Sequence, residues 1–550
     1  MVNVRYRSAA DLGPRLPETP PTPAGEAPPS VVTPPVDPTV WTPALVIVAI
    51  LLGIFALLLG SAHIGNADVW LTLATGRLIH TGAYQFGVDP FSWASEGTYW
   101  ANNSWLGSWL FYLATFSGKA GLGTAKAILV TALAGLLVGT RARSSSLLLT
   151  MSFTTLALLA ASPRFLAQTT LFSYLGIAVL LWILVHDGHL DDRERPAPRF
   201  GWFIPLLFLV WSNLDGHYVL GLFVLIATAV CRFVGPGGPG GRGEAKRLAL
   251  VSAASIAACA LNPHLLRNFE LPGELSYVLH IGDSGRALRI LQANEPTTFG
   301  LMSSLSTDYL SLPNFGWNIA GMAFYLLFLF NLSSFFAVAA TSVRTPGLLP
   351  RAVIAGGLAA LAVLQWTFIP FFALVAGPIA VLNLADRARR PAPTPAAAPA
   401  PTWTDAIGKW AAVEAMAALL FLIFLAWPGW LHMGFGEIGM SRAFQAGRRV
   451  NWDLEPEPSL HMAALALEAQ TKNGEALRVF QPAPELPAYC AYFAPSVKCG
   501  IDRRYGLFRD IAADYAKVRD DLVDYAPGDR EVLDKFRDWK IDHVALTNYR

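Results

Sequence analysis

A chain of 550 residues that is 53% hydrophobic and only 15% charged falls well short of the roughly 25% charge of soluble globular proteins. Its apolar residues gather in runs of about 18 or more, which excludes an ordinary soluble enzyme and reads as a polytopic membrane protein. A net charge of +2 says nothing about partners, so the sign of individual loops carries the information.

Residues 1–41, with TPPTPAGEAPPS and TPPVDP, predict a disordered, proline-rich cytoplasmic tail. The apolar run at 42–63 lies too far into the chain for an ordinary signal peptide and reads as a signal anchor. Further runs centre near 123–140, 145–162, 167–186, 202–215, 217–234, 247–262, 316–338, 352–368, 369–385 and 408–428. With the first, they predict about 11 transmembrane helices. WLGSWLFYLATFSG (105–118) is apolar but short, and reads as a re-entrant or interfacial helix within an outer loop, 64–122. With a cytoplasmic N terminus, the basic loops at Arg141 and Arg143, 193–199, 241–247, 342–351 and 386–393 all fall inside, as the positive-inside rule requires. The loop at 263–315 and everything after about 429 then fall outside.

The membrane domain is expected over 42–386, a Pro/Ala-rich linker over 387–407 and the last span over 408–428. Residues 429–550 alternate helical stretches with strand-like pieces (ALRVFQ, AYCAYF, VKCGI, HVALTN), which predicts a small extracytoplasmic α/β domain. The expected fold class is thus an all-α polytopic membrane protein with an α/β C-terminal domain. Cys231 and Cys259 fall in apolar runs and read as buried thiols. Cys490 and Cys499 flank AYFAPSVK, which reads as strand–turn–strand. In an oxidising compartment they are expected to pair across that hairpin, stabilising it by about 2–3 kcal/mol.

Asp68 stands just beyond the first run, and VWLTLATGRLI after it reads as an amphipathic helix lying in the interface. Asp68 is either a partner for that helix's N-terminus or a catalytic group. Asp89 opens the turn DPF, where Asp-Pro is common. Arg77 either snorkels or binds phosphate. Arg164 and Arg267 lie on the side where the positive-inside rule expects few arginines, which makes them better phosphate candidates than the arginines of the cytoplasmic loops. Asp215 and His217 sit in a tight turn between two runs, where ionisable residues are costly; they serve a site or pair with each other. Glu295 is an acceptor contact or has no role. No His-x-x-x-His or Cys-x-x-Cys spacing occurs. There is no Walker loop or dinucleotide fingerprint, and no nucleic-acid signature.

These motifs, taken in order, resemble a known family. An aspartate after the first span, a short W- and L-rich helix, a DPFS turn and a W-x-x-x-x-W-L re-entry resemble a large bacterial family of polytopic membrane proteins. That family is similar to GT-C glycosyltransferases of the polyprenyl-phosphate-sugar-dependent, mannosyltransferase-like kind. VWSNLDGHYVLGLF (210–223), ALNPHLLRNFELP (260–272) and YCAYFAPSVKCGIDRRYGLF (489–508) resemble its W-x-N-L-H-G, N-P and strand–proline–strand–D-x-R elements. The resemblance implies inverting sugar transfer from a polyprenyl-phosphate donor in the bilayer to an extracytoplasmic acceptor, in a cytoplasmic membrane. It implies Asp68 as general base with Asp89 as a second catalytic candidate. Arg77, Arg164 and Arg267 would bind the donor phosphate, and Asn213, Asp215, His217 and His264 would line the cavity. No cofactor is required, although a divalent cation shared by Asp68 and Asp89 fits the wider class. The sequence departs from the family pattern where histidine is expected at Thr72 and Asp215, His-Glu at Asn103 and Ser104, and arginine near Thr367. Those departures keep open a non-catalytic scaffold for surface polymers and, third, a transporter of lipid-linked precursors.

Overall fold

The computed structural model describes residues 42–141, 145–191, 200–235, 241–292, 302–311, 315–340, 347–388, 403–434, 447–471, 475–523 and 530–546. Glu295 and the tail 1–41 lie outside the described residues. Each of the eleven apolar runs folds as a helix. They are α1 (Pro43–Gly60), α4 (Gly121–Gly139), α5 (Leu147–Ala161), α6 (Thr170–His186), α7 (Ile204–Leu214), α8 (Tyr218–Val234), α9 (Gly241–Cys259), α13 (Ile319–Ala339), α14 (Leu348–Leu364), α15 (Ile369–Ala388) and α16 (Trp403–Ala426). Five segments, built on α1, α4, α5, α13 and α15, are long and apolar enough to cross a membrane. The local chemistry of α1 is typical: Thr42 accepts from the Leu45 N–H, Pro43 fills the first turn, and no charge follows for 18 residues. The segment containing α15 is 94% buried and forms the centre of the bundle, packed against α5, α13 and α14.

The 64–122 segment folds over one end of this bundle through α2 (Asp68–His80) and α3 (Trp105–Ala114). Ten residues of α3 reach about 15 Å, half the hydrocarbon thickness of a bilayer. Two glycines let it dock. A Cβ on Gly76 of α2 would lie 2.3 Å from the Ser108 carbonyl, and one on Gly107 would lie 2.5 Å from the Leu214 carbonyl and 2.9 Å from Thr169 Cγ2. Between α9 and α13 the chain runs through α10 (Gly273–Leu279), α11 (Gly282–Gln292) and α12 (Thr307–Ser311).

After α16 an extended stretch returns across the same end. Ala62 and Val450 form an antiparallel bridge, the His63 N–H donates to the Arg449 carbonyl (2.8 Å), and the Leu454 N–H donates to the Lys119 carbonyl (3.1 Å). The C-terminal domain follows: α17 (Pro458–Glu468), β1 (Leu477–Phe480), α18 (Leu486–Phe493), β2 (Val497–Cys499), α19 (Ala512–Val523), α20 (Arg530–Asp538) and β3 (His543–Val544). Its strands are parallel in the order β2-β1-β3. AYCAYF, expected as a strand, lies within helix α18. Its Pro487 sits in the first turn, where the missing N–H costs nothing, and β1-α18-β2 is a βαβ unit rather than a hairpin. Cys490 is therefore on a helix and Cys499 on a strand. Both are buried free thiols, and a hydrogen bond from Cys490, with burial, raises the Cys499 pKa well above its usual value.

Candidate functional site

Two motifs more than 400 residues apart meet at the seam between the 64–122 segment and the C-terminal domain. Arg504 donates to both oxygens of Asp89 (2.9 and 3.0 Å) and to both oxygens of Asp502 (2.6–3.0 Å). The guanidinium lies 4.5 Å over the Trp100 ring. Burial works against its charge, but the two carboxylates hold its pKa above the usual arginine value. Asp89 also accepts from the Phe91 N–H (3.3 Å) and the Ser95 hydroxyl (2.7 Å). A carboxylate offers about four lone-pair positions, and donors fill them all. Both oxygens of Asp89 are thus engaged by protein donors. The turn continues into the domain sheet, with Ser92 bridging Cys499 in parallel register and Trp93 Nε1 donating to the Val479 carbonyl (2.9 Å).

Arg77, near the end of α2, donates to the carbonyls of Tyr492 (3.0 Å) and Ala491 (3.4 Å) and stacks over the Tyr492 ring at 4.7 Å. It thereby satisfies carbonyls in the last turn of α18 that have no partner within the helix. The amphipathic face expected on α2 rests on protein: Trp70 packs against Tyr489, Tyr492 and Phe493.

The segment 162–169, between α5 and α6, gathers most of the remaining candidates. Gln168 Nε2 donates to Asp68 Oδ2 (3.0 Å), and Arg503 Nη1 stands 3.8 Å from the same oxygen. Asp68 Oδ1 has no partner among the described residues. The side chain caps no N–H at the start of α2, so of the two sequence readings for this helix end only the dipole partner survives beside catalysis. The next residue, Thr169, donates to Asp215 Oδ1 (3.0 Å). Asp215 Oδ2 accepts from the Ser173 hydroxyl (2.5 Å) and from the His217 N–H and Nδ1 (3.0 and 2.8 Å). Asp215 thus accepts four hydrogen bonds, three of them on Oδ2. His217 Nε2 faces Glu274 at 3.5 Å, and its ring stacks on Phe371. Burial opposes the imidazolium, but Asp215 and Glu274 outweigh it and push the pKa up to about 10. Mutual pairing of Asp215 and His217 is thus the observed arrangement, with Glu274 as a third member. Arg164 lies over the Trp366 ring at 5.5 Å, and its buried Nε has no hydrogen-bond partner.

Arg267 and His264 stand slightly apart. Arg267 is exposed, 4.2 Å over the Tyr99 ring. His264 accepts at Nε2 from the Asn102 N–H (3.1 Å) and meets the Tyr99 hydroxyl at Nδ1 (3.0 Å). Burial lowers its pKa, so the ring is neutral at pH 7. Beside them an apolar groove of about 620 Å³ runs between α3, α7 and the end of α9, lined by Trp105, Leu209, Val210, Asn213, Leu261 and Leu265 among others. Asn213 Oδ1 accepts there from Trp105 Nε1 (2.8 Å) and Asn262 Nδ2 (3.0 Å). Leu265 holds a left-handed φ of 50°, a strained conformation for a branched residue.

Among solved structures, the chain is similar to an oligosaccharyltransferase from Archaeoglobus fulgidus, AglB, in complex with an inhibitory peptide and a dolichol-phosphate. The TM-score is 0.55 at 13% identity, covering 92% of this chain and 69% of that one. A second A. fulgidus oligosaccharyltransferase structure, a complex with Zn and sulfate, matches at TM-score 0.50 and 14% identity, over 84% of this chain and 62% of that one. The chain shares its overall fold with these structures. No family model matches the sequence, and no curated protein matches it. Among the described residues no cluster of three His, Cys, Asp or Glu side chains is placed to hold a metal ion. On this fold, Asp68, Arg164, Asp215 and His217 converge around 162–169, whereas Asp89 and Arg77 fasten the C-terminal domain. Sequence reasoning missed Gln168, Glu274 and Arg503, and also Arg448, whose Nη2 donates to the Pro163 carbonyl (2.6 Å), and the buried Lys126, whose ammonium donates to the Ala62 carbonyl. Only Arg503 carried a signal, as the middle residue of the D-x-R element.

Proposed function

We propose that the protein is a membrane glycosyltransferase that moves a sugar from a polyprenyl-phosphate donor to an acceptor outside the cytoplasm, with inversion at the anomeric carbon. Asp68 is the general base. The observation that supports this reading is that Asp68 accepts from Gln168 at Oδ2 alone and meets no donor at Oδ1 among the described residues, whereas Asp89 and Asp215 each accept four hydrogen bonds. The acceptor hydroxyl gives its proton to Asp68 while its oxygen bonds the anomeric carbon. The bond from that carbon to the phosphate oxygen breaks, and its electron pair stays on the phosphate, whose charge goes from −1 to −2. Positive charge for that step comes from Arg164 and Arg267. The groove between α3, α7 and α9, with Arg267 near its mouth, suits the lipid chain. The C-terminal domain faces outward, the N terminus is cytoplasmic, and the host is a cytoplasmic membrane of bacterial type.

The test is transfer from a panel of polyprenyl-phosphate sugars by the full chain in nanodiscs, wild type beside Asp68→Asn. Loss of a positioned base costs about 10²–10⁴-fold in rate, so the variant should retain donor binding and lose nearly all transfer. Equal transfer in both removes Asp68 from the chemistry. A folded wild type that transfers nothing from any donor moves the assignment to a scaffold on the same fold.

A further inference from the structure

Arg503 and Glu485 of the C-terminal domain stand beside Asp68, and the transfer chemistry above gives neither a task. Glu485 lies one residue before α18, where an acidic side chain ordinarily caps the helix. It caps no N–H there. Its Oε1 accepts instead from Arg503 Nη2 (2.7 Å). The other terminal nitrogen of the same guanidinium, Nη1, faces Asp68 Oδ2 at 3.8 Å, inside ion-pair range and beyond hydrogen-bond range. Gln168 donates to that same oxygen. Asp68 therefore meets an uncharged side chain from the 162–169 segment, and Arg503 with Glu485 behind it from the C-terminal domain. Among the described residues no other charged side chain stands within ion-pair distance of its carboxylate. The three are reachable from solvent: the Asp68, Glu485 and Arg503 side chains are 25%, 27% and 43% exposed. Arg503 is also not needed to fasten the domain here, because the flanking Asp502 and Arg504 bond each other and Asp89.

The spacing matters because a base beside a cation can fail in two ways. An arginine bonded directly to both oxygens fills their lone pairs and leaves a carboxylate that accepts a proton poorly. With no cation near, the carboxylate takes a proton from water more readily, and a protonated group cannot receive one from the acceptor. We infer that Glu485 and Arg503 are positioning residues for Asp68: Glu485 holds the guanidinium at a stand-off from the carboxylate, near enough to keep it ionised and too far to occupy the oxygens that the acceptor hydroxyl must reach. This rests on the transferase reading and deepens it, since the C-terminal domain then regulates the base as well as covering it. Without Glu485 the freed guanidinium closes on Asp68 and engages it as Arg504 engages Asp89.

The first experiment needs no turnover. A carbodiimide modifies a carboxyl group only in its protonated form, so the pH dependence of Asp68 modification, read by mass spectrometry of the full-length protein in nanodiscs, follows the charge on that side chain. The pH of half-modification should rise in Arg503→Gln and fall in Glu485→Gln, each by about one unit at low ionic strength. Arg503→Lys should return part of the first shift. Simple damage to the seam would move both variants the same way, so shifts of one sign, or no shift in the folded variants, overturn the inference. Transfer supplies the second readout. Glu485→Gln should lower kcat several-fold at neutral pH with KM nearly unchanged, and Arg503→Gln added to it should recover most of that loss, because the guanidinium that closed on Asp68 is gone. A loss that the second substitution leaves in place overturns the inference as well. A folded wild type that transfers nothing ends the transferase reading, whereas the modification data still decide whether Arg503 and Glu485 act on Asp68, so the two fail separately.

Discussion

Asp89 and Asp68 look alike in sequence, and what separates them is the number of donors each meets. Asp89 is saturated by Arg504, Ser95 and a backbone N–H, so its role is to hold. Arg504→Ala leaves two buried carboxylates facing each other and should cost about 3–5 kcal/mol, seen as a lower thermal midpoint and faster proteolysis of 64–122. Asp89→Asn should lower transfer only in proportion to the folded fraction. His217 yields a prediction with a definite sign. Its folded pKa of about 10 lies above the unfolded value near 6.5, so its contribution is fully present below about pH 6.5 and is lost as pH rises through about 10. Asp215 works the other way: its folded pKa is lowered, with burial opposed by His217 and Ser173, so its contribution is lost only in strong acid. Thermal midpoints of the wild type should therefore fall between about pH 7 and 10, and His217→Gln should flatten that slope; an unchanged slope removes the pair as its source. Asp68, Arg164, Asp215 and His217 were legible because a charge at the edge of an apolar run is conspicuous. Gln168, Glu274 and Arg448 were not, since each is an ordinary polar residue until folding sets it against a partner far away in the chain.

At the level of elements, the apolar runs gave their helices faithfully because hydrophobic length is a strong signal. Short pieces were ambiguous. AYCAYF satisfies a strand as well as a helix at six residues, and only the preceding LP, a helix-start signal, argued for α18. The correction moves Cys490 and Cys499 off a hairpin but leaves them neighbours, and we keep their pairing in an oxidising compartment as a proposal. Alkylation without reduction followed by mass spectrometry should find both blocked by each other; two alkylated thiols end it. The placement of α3 depends on Gly107, which no sequence pattern singled out. An alanine there would push on the Leu214 carbonyl and on Thr169, the residue that holds Asp215. Gly107→Ala should cost about 1–3 kcal/mol and should also weaken the pH dependence that His217 confers, which an overpacked helix remote from the site would not do.

Across the whole molecule, the C-terminal domain and the 64–122 segment are parts of one structure. The segment is fastened through Arg77 to α18, through Ser92 to Gly500 beside β2 and Trp93 to β1, through Asp89 to Arg504, and through Glu96 to Arg478 (2.6 Å). Leu73 of α2 and Phe111 of α3 join the core of the bundle, but between those helices Trp93 packs in the second hydrophobic cluster with Phe480, Ile501 and Tyr515 of the C-terminal domain. Asp68 stands at the base of α2, whose Trp70 rests on α18, and Arg503 from the same domain reaches toward its carboxylate. Removing residues 455–550 should therefore leave the membrane helices and α3 folded but release α2 and the stretch 81–104. Helical content by circular dichroism should fall only by the loss of the deleted helices and of α2. Protease should cut within 81–104, where the full chain resists, and transfer should vanish although Asp68 is unchanged. A truncated chain that keeps 64–122 protected would show that the segment folds on the bundle alone and that the domain contacts are incidental to it.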